Sequence, residues 1–485
     1  MSTEPSKSSG QLPDYIASAT PNPAANRAPW YKNTAPTYAG IFLWFVFWQQ
    51  AVATKDGSLG GLLSQGIGWA LLSLVLAAVI CHVLFYLVPG MLGMKTGQPL
   101  YIVGTSLFGT TGGFLLPGFL MGLLQFGWLG VNIYFSSALI GIFLFPDAGI
   151  NPGDPSTMTA SVKAIMAVWG ILAAFVGLKG IQYVAKVATF LPLIPLVILI
   201  ILLAQTVGGI GSFEPQALIE SAKAANPEAP AALGKFGVLA AMLTFVIGFF
   251  ATAGAAGVDF GTGSRNKKDV SMGGIVGIAL AIIVTAGISM LVVAGTYGSE
   301  EFSAKAVEGG VNLQTPGLMP VIMGDKTAGV LMFLLALAAF PAACFSSFIA
   351  ANSFKTTLPK VNPFISVGIG AAVSILLAVT GMAGKAITVF EIIGATFGPI
   401  LGAMLVEYIF SGGKWSGPRT GFNPAGWISW ICGAIVGVLP ILNIYPVPAA
   451  PVAAFIVGAV VYAILAKAGM QSKLVAGCDT VSGEE

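Results

Sequence analysis

The sequence predicts an all-α polytopic membrane protein of about twelve transmembrane helices, each spanning roughly 20 predominantly apolar residues. Three observations predict it. Of 485 residues, 56% are hydrophobic and only 8% are charged, far more apolar surface than a soluble core can hide. Apolar stretches long enough to cross a bilayer recur along nearly the whole chain. The basic residues fall mainly on one alternating set of the intervening segments.

Residues 1–36 are polar and rich in Pro, Ser, Asn and Ala, show no cleavable signal pattern, and are expected as a disordered cytoplasmic tail. Helices are expected near 39–56, 69–93, 112–144, 160–178, 182–206, 236–262, 272–297, 328–354, 362–382, 386–411, 425–442 and 449–468. The first ten make a core over 37–412, the last two occupy 413–470, and 471–485 is expected as a second cytoplasmic tail.

An even number of spans puts both termini on one side. With the termini inside, the inner segments carry Lys7, Arg27, Lys32, Lys95, Lys179, Lys186, Arg265, Lys267, Lys268, Lys355, Lys360, Lys414, Arg419, Lys467 and Lys473. The outer segments are acidic, with Asp147, Asp154, Glu214, Glu220, Glu228, Glu300, Glu301, Glu308 and Asp325. Cytoplasmic loops retain positive charge, so the expected location is the inner (plasma) membrane with both termini cytoplasmic. The net charge of +3 is small and dispersed and gives no reason to invoke nucleic acid. Cys81, Cys344, Cys432 and Cys478 are widely spaced and read as core residues, not as disulfides or metal ligands. No cluster of nucleophile, base or metal ligands suggests an enzyme, and no cofactor or obligatory protein partner is implied.

Two spans differ from ordinary ones. The sixth places Gly248, Gly254 and Gly257 in one apolar run, each costing about 1 kcal/mol in a helix relative to Ala. The first carries the amides Gln49 and Gln50 at mid-membrane, followed by Lys55 and Asp56. Helices one and six are equivalent if the first ten form a five-plus-five inverted repeat with two helices appended. Each is then expected to break at its midpoint, with the breaks facing one another around a cavity.

Helix three puts Gln125, Trp128 and Asn132 on one stripe. An indole between two amides is a surface for a planar heteroaromatic base: a π-face to stack on, and groups that donate and accept in the ring plane. Phe249 or Phe250 of helix six offers a second ring. Intramembrane aromatics commonly serve packing alone, but leaving Gln49, Gln125, Asn132 and Asn352 buried and unpaired would cost a few kcal/mol each. Interhelical hydrogen bonding is their other use.

Helix eight carries adjacent hydroxyls, Ser346 and Ser347, and then Asn352. With the carbonyl of Ala343, and carbonyls near Phe45 and Trp48 on a broken helix one, the hydroxyls make about five oxygen ligands for Na+. Such Ser residues otherwise bond back to the carbonyl four residues earlier. No ionisable residue stands in the middle of helices one, three, six or eight, and His82 reads as structural, so Na+ is favoured over H+ as coupling ion.

Four segments resemble the nucleobase:cation symporter-1 family, the cytosine, purine, hydantoin and allantoin permeases. They are QFGWLGVN, VIGFFATAG with the following VDFGTGSRNKKD, FSSFIAAN and FGPILGAMLVEYIF. The resemblance covers most of residues 40–412 and is closest to the cytosine permeases, whose Gln-x-x-Trp spacing is similar to Gln125 and Trp128. It implies a fold of the leucine-transporter type and secondary active import of a nucleobase by symport with Na+. It also implies a stacking pair, Trp128 and Phe250, with Gln49, Gln125, Asn132, Thr252 and Asn352 around the base. Sodium is then held by Phe45, Trp48 and Ala343 carbonyls with Ser346 and Ser347. The sequence departs from the family in lacking a Gly-rich break in helix one, in carrying Lys55 and Asp56, and in pairing Phe249 with Phe250. Another heterocycle (hydantoin, allantoin, hydroxymethylpyrimidine) and H+ coupling remain open on these residues.

Overall fold

In lipid every backbone amide must be paired within the protein, so a chain of this composition resolves into helices. A computed structural model describes residues 12–42, 54–179, 191, 193–308 and 315–475. Among them, nine helices are long and apolar enough to cross a membrane: Ile67–Thr96, Phe114–Leu144, Ala160–Lys179, Leu193–Ser212, Lys235–Ala255, Lys267–Tyr297, Asp325–Thr357, Ala386–Phe410 and Ala450–Lys467. Pro363–Val379 and Pro424–Val438 are shorter apolar helices. These correspond to expected helices two to twelve and keep those numbers below. The chain is a multi-pass all-α membrane protein. Helix one begins at Thr34, before the expected residue 39, and its stretch with Phe45, Trp48 and Gln49 lies outside the described residues. Helix eight, with 33 residues, is about 50 Å long against a core of about 30 Å, so it either tilts or carries its polar ends, Asp325–Lys326 and Lys355–Thr357, beyond the hydrocarbon.

Glycine sets how closely helices ten, eleven and twelve approach. Gly394, Gly398 and Gly402 follow one face of helix ten and press against Pro451, Ala454 and Phe455 of helix twelve. Gly433 and Gly437 of helix eleven meet Pro399 and Ala395. Small residues at such seams let backbones touch, which supplies the dispersion contact that replaces a hydrophobic driving force in lipid. Gly402→Ala drives a methyl into the Phe455 carbonyl and is expected to cost about 1–3 kcal/mol, read as a lower melting temperature of the purified protein. Gly368→Ala, with open space around it, is the control and is expected not to lower it.

Three expectations need correction. Helix six is continuous from Lys235 to Ala255, turns at Ala256 and resumes as Gly257–Gly261. The break therefore lies well past the midpoint. Gly248 stays helical because its bare face packs on the Phe390 backbone, 2.7 Å from where a Cβ would stand to the carbonyl oxygen, so this glycine serves packing. Carbonyls just before a helix end lack helical donors, and the Tyr38 hydroxyl of helix one donates to that of Ala253 at 2.8 Å.

Residues 12–36, expected as disordered, lie across one end of the bundle. The Tyr15 hydroxyl donates to the Thr110 carbonyl, Asn22 N to Gly97 at 2.9 Å, and Ala28 N to Gly263 at 2.8 Å. Arg27 reaches the Met94 carbonyl at 3.0 Å and Trp30 N reaches Asp269 at 3.1 Å. Few apolar side chains are needed, because loop carbonyls pair the strap's polar groups. Finally, the interval between helices two and three is itself helical, as Leu100–Val103 and Thr105–Gly112. Gly109, at φ 84°, allows its close approach to the Gly421 backbone. The C-terminal segment joins the same face, with Thr420 N donating to Lys473 at 2.8 Å and Thr110 N to Arg419 at 2.7 Å.

Candidate substrate and ion sites

Hydrogen bonds sort the helices into two bodies. Asn132 of helix three donates to the Ala339 carbonyl of helix eight at 2.9 Å and accepts from Trp169 Nε1 of helix four at 3.0 Å. Ser374 of helix nine donates to the Phe126 carbonyl at 2.8 Å. These bonds bind helices three, four, eight and nine together. On the other side, Tyr38 joins helix one to helix six, and the Tyr86 hydroxyl of helix two donates to Val270 of helix seven at 3.2 Å.

Trp128 bridges the seam between the bodies. Its indole Nε1 donates to Thr252 Oγ1 of helix six at 3.1 Å, with Thr252 3% exposed. The ring is half-buried. Phe249 meets it edge-on, centroids 4.8 Å apart at 86°, and Phe390 of helix ten stacks on it at 5.1 Å and 30°. Phe245 adds a further ring, 5.7 Å from Phe390. Gln125, one turn from Trp128, is buried, and its amide has a single described polar contact, the weak acceptor Met121 Sδ at 3.5 Å. The result is an aromatic box with an amide that has hydrogen-bonding capacity to spare.

The structure thus brings Gln125, Trp128, Thr252 and Phe249 together. It separates others. Phe250, one residue on, turns 100° away and packs on Tyr38 at 5.9 Å. Asn132 is 2% exposed, with both amide ends engaged by helices four and eight. Asn352 is exposed, off the buried face of helix eight that carries Ala343, Ser347 and Ala350. Gln49 lies outside the described residues. Phe390 is not marked by the sequence: the family resemblance on helix ten begins at Phe397, seven residues later, and nothing local distinguishes Phe390.

The box is closed. A ring sandwiched between two others needs about 7 Å between their centroids, two van der Waals layers of about 3.5 Å. Trp128 touches both Phe249 and Phe390 below that spacing. A heterocycle entering here must part helix three from helix six or helix ten.

Of the expected sodium ligands, Ala343, Ser346 and Ser347 share the buried side of helix eight at 1%, 9% and 0% exposure. The Ser347 hydroxyl reaches the Ala343 carbonyl at 3.4 Å, the long limit of a hydrogen bond, so the hydroxyl keeps most of its capacity for a hard cation. Gly177, near the end of helix four, lets that helix pack directly on helix eight, its Cβ position lying against the Cys344 carbonyl oxygen and 2.8 Å from Ser347 Cβ. Phe45 and Trp48 lie outside the described residues.

No family model matches the sequence, and no curated protein matches it. Solved structures do. Mhp1, a nucleobase-cation-symport-1 family transporter in a closed conformation with bromovinylhydantoin bound, is 14% identical with TM-score 0.62 over 92% of this chain and 93% of that one. Its inward-facing conformation is 17% identical with TM-score 0.63 over 96% and 94%. A Na+-coupled sialic acid symporter in a substrate-bound outward-open state is 13% identical with TM-score 0.53 over 92% of each chain. At such identities the likeness establishes the fold, which is that of leucine-transporter-type membrane transporters. Among these structures it extends over nearly the whole length of Mhp1.

Proposed function

We propose that this chain is a secondary active transporter that imports a nucleobase, cytosine or a related purine or pyrimidine, by symport with Na+ through alternating access. The observation that carries the reading is Trp128, whose indole is pinned to Thr252 across the seam between the two bodies and ringed by Phe249 and Phe390. A flat heterocycle stacks on such a ring, and Gln125 supplies an amide for its edge. The proposed substrate contacts are Trp128, Gln125, Thr252 and Phe249, with Gln49 as a further contributor. Asn132 holds helices three, four and eight together instead, and Phe250 packs against helix one.

Helices three, four, eight and nine then rock as one body against helices one, two, six and seven. Sodium on Ala343, Ser346 and Ser347, with the Phe45 and Trp48 carbonyls, ties helix eight to helix one. Symport follows if only the empty and the doubly loaded carrier interconvert, since each ligand shifts the equilibrium by its differential affinity alone. The chain performs no covalent step and works in the plasma membrane with both termini cytoplasmic. Similarity to transporters of this fold supports a carrier over an enzyme.

The deciding experiment is uptake of radiolabelled cytosine into proteoliposomes with and without a Na+ gradient, competed by purines, uracil, hydantoin and allantoin. Saturable accumulation that needs Na+ and yields to nucleobases is the expected result; no competition by any nucleobase removes the reading. A hydantoin-like cargo is the second reading, favoured by the bromovinylhydantoin in Mhp1, and the same panel separates it. Ser347→Ala is expected to raise the Na+ concentration for half-maximal uptake by about tenfold, the loss of roughly 1.4 kcal/mol, with little effect at saturating Na+. An unchanged Na+ response would remove the proposed ion site.

A further inference from the structure

Helix eleven, Pro424–Val438, has 15 residues and is about 22 Å long, short of a hydrocarbon core of about 30 Å. It starts at the end of the bundle that carries the N-terminal strap, where Trp427 Nε1 donates to the Phe108 carbonyl at 3.2 Å. Its far end and the start of helix twelve both stop well inside the bundle. Gly437 meets Ala395 of helix ten and Pro451 meets Gly394, whereas helix ten itself begins at Ala386. The stretch from 386 to 394 is about 12 Å of helix. Phe390, stacked on Trp128 near the middle of helix three, lies within it. The loop that joins helices eleven and twelve, 439–449, is therefore rooted at the depth of the aromatic box.

This loop carries no charge. None occurs between Arg419 and Lys467, whereas the other loops at the same end carry Lys55 and Asp56, Asp147, Glu214, Glu300 and Lys385. Its tip exposes Leu442, Ile444 and Tyr445 at 61%, 66% and 64%. Its backbone donors are paired locally. Ile441 N and Leu442 N donate to the Val438 carbonyl at 3.0 and 3.1 Å, Asn443 N to that of Pro440 at 3.3 Å, and Ile444 N and Tyr445 N to that of Leu439 at 3.0 and 3.5 Å. Pro440 and Pro446 have no N–H to pair. From 440 to 446 the loop thus needs no water as an acceptor, which is what contact with hydrocarbon requires.

We propose that the loop between helices eleven and twelve is a lipid-contact surface held in a locally thinned leaflet, with Leu442 and Ile444 among acyl chains and the Tyr445 hydroxyl at the headgroups. A span this short is matched by drawing the headgroups down to its end, and tyrosine settles at headgroup level. Headgroups and their water then reach the loop carbonyls, which irregular backbone deep in hydrocarbon would leave unpaired. A loop standing in water would need none of this donor pairing, and it would leave three large apolar side chains wet at one tip. The inference holds whatever solute the protein carries.

The test uses the full-length protein in phosphatidylcholine proteoliposomes. Ile444→Cys is spin-labelled in a background with Cys432 and Cys478 replaced by Ser; Cys81 and Cys344, 0% and 1% exposed, stay in place. Relaxation of the label by oxygen, which concentrates in lipid, is compared with relaxation by a water-soluble nickel complex present on both sides of the membrane. Val460→Cys, 51% exposed on helix twelve, is the lipid reference, and Ala304→Cys, exposed on the charged helix Glu300–Glu308, is the water reference. Oxygen is expected to relax the label at Ile444 more than nickel does, as at Val460, with the order reversed at Ala304. Nickel prevailing at Ile444 overturns the proposal, because the loop then stands in water. Low accessibility to both reagents also overturns it. Spin–spin broadening in that case marks a second copy of the chain as the cover, and its absence marks packing within one chain. If Ile444→Cys fails to fold, Leu442→Cys on the same tip takes its place.

Discussion

Trp128→Ala is expected to weaken binding of the proposed heterocyclic substrate by about 5- to 150-fold, the equivalent of the 1–3 kcal/mol that one base–aromatic stack supplies. The ring is half-buried and lies at the seam between the two bodies, so its removal is expected to leave the protein folded. Trp128→Phe separates two contributions. It keeps a π-face but loses the Nε1 bond to Thr252 and should therefore fall between alanine and the parent. Phe250→Ala is the contrasting variant: it opens a cavity against Tyr38 and should lower the melting temperature more than the affinity. Titration of labelled ligand into purified protein, with melting measured in parallel, reads both quantities. Parent-like affinity in a well-folded Trp128→Ala protein would show that the substrate does not stack there.

The spans were legible because lipid leaves one solution for a backbone; hydropathy alone located helices two to twelve to within several residues, apart from helix five, whose expected start at 182 lies outside the described residues. Trp128 was legible for a related reason, an indole standing out between two amides on one stripe of an apolar helix, whereas Thr252 entered only through the family resemblance. What the chain could not reveal locally was rotation and partnership. Phe249 and Phe250 are adjacent and chemically identical, and only the docking of helix six on helix three selects Phe249. Asn132 reads as a ligand amide until its partners, 37 and 207 positions away, are known. The Lys55–Glu391 pair was half visible, as an unexplained charge beside helix one whose partner lies 336 positions on. The N-terminal strap misled for another reason. Low apolar content argues against a core of its own, and says nothing about backbone pairing to loops that the rest of the fold provides. In helix six, glycines that loosen an isolated helix instead admit neighbouring backbones, Gly248 that of helix ten and Gly254 that of helix two.

Arg419→Ala is expected to cost about 3–5 kcal/mol, a large part of the 5–15 kcal/mol that typically holds a fold together. Arg419 and Glu407 are 9% and 4% exposed and meet at 3.0 Å. The guanidinium also donates to the Ser106 and Ser472 carbonyls, each at 3.0 Å. Removing it strands the Glu407 carboxylate, to which only the neutral donors Ser416, Tyr462 and Gln471 remain, at 2.6, 2.8 and 3.0 Å. Adding Glu407→Gln to Arg419→Ala removes the stranded charge and is expected to recover part of the loss, the coupling a double-mutant cycle measures. Lys305→Ala breaks an exposed pair with Glu301 and should leave melting unchanged. A parent-like melting curve for Arg419→Ala would show that the pair holds nothing. The expected loss carries a structural meaning. Through Glu407, Tyr462 and Arg419, helix twelve and the loop before helix eleven grip one half of helix ten. Phe390 and Glu391 sit in the other half, where Lys55 is the hold. Weakening the first grip should unfold the protein at lower temperature, so the coupling energy of the cycle reads how firmly helix twelve and the loop before helix eleven hold helix ten.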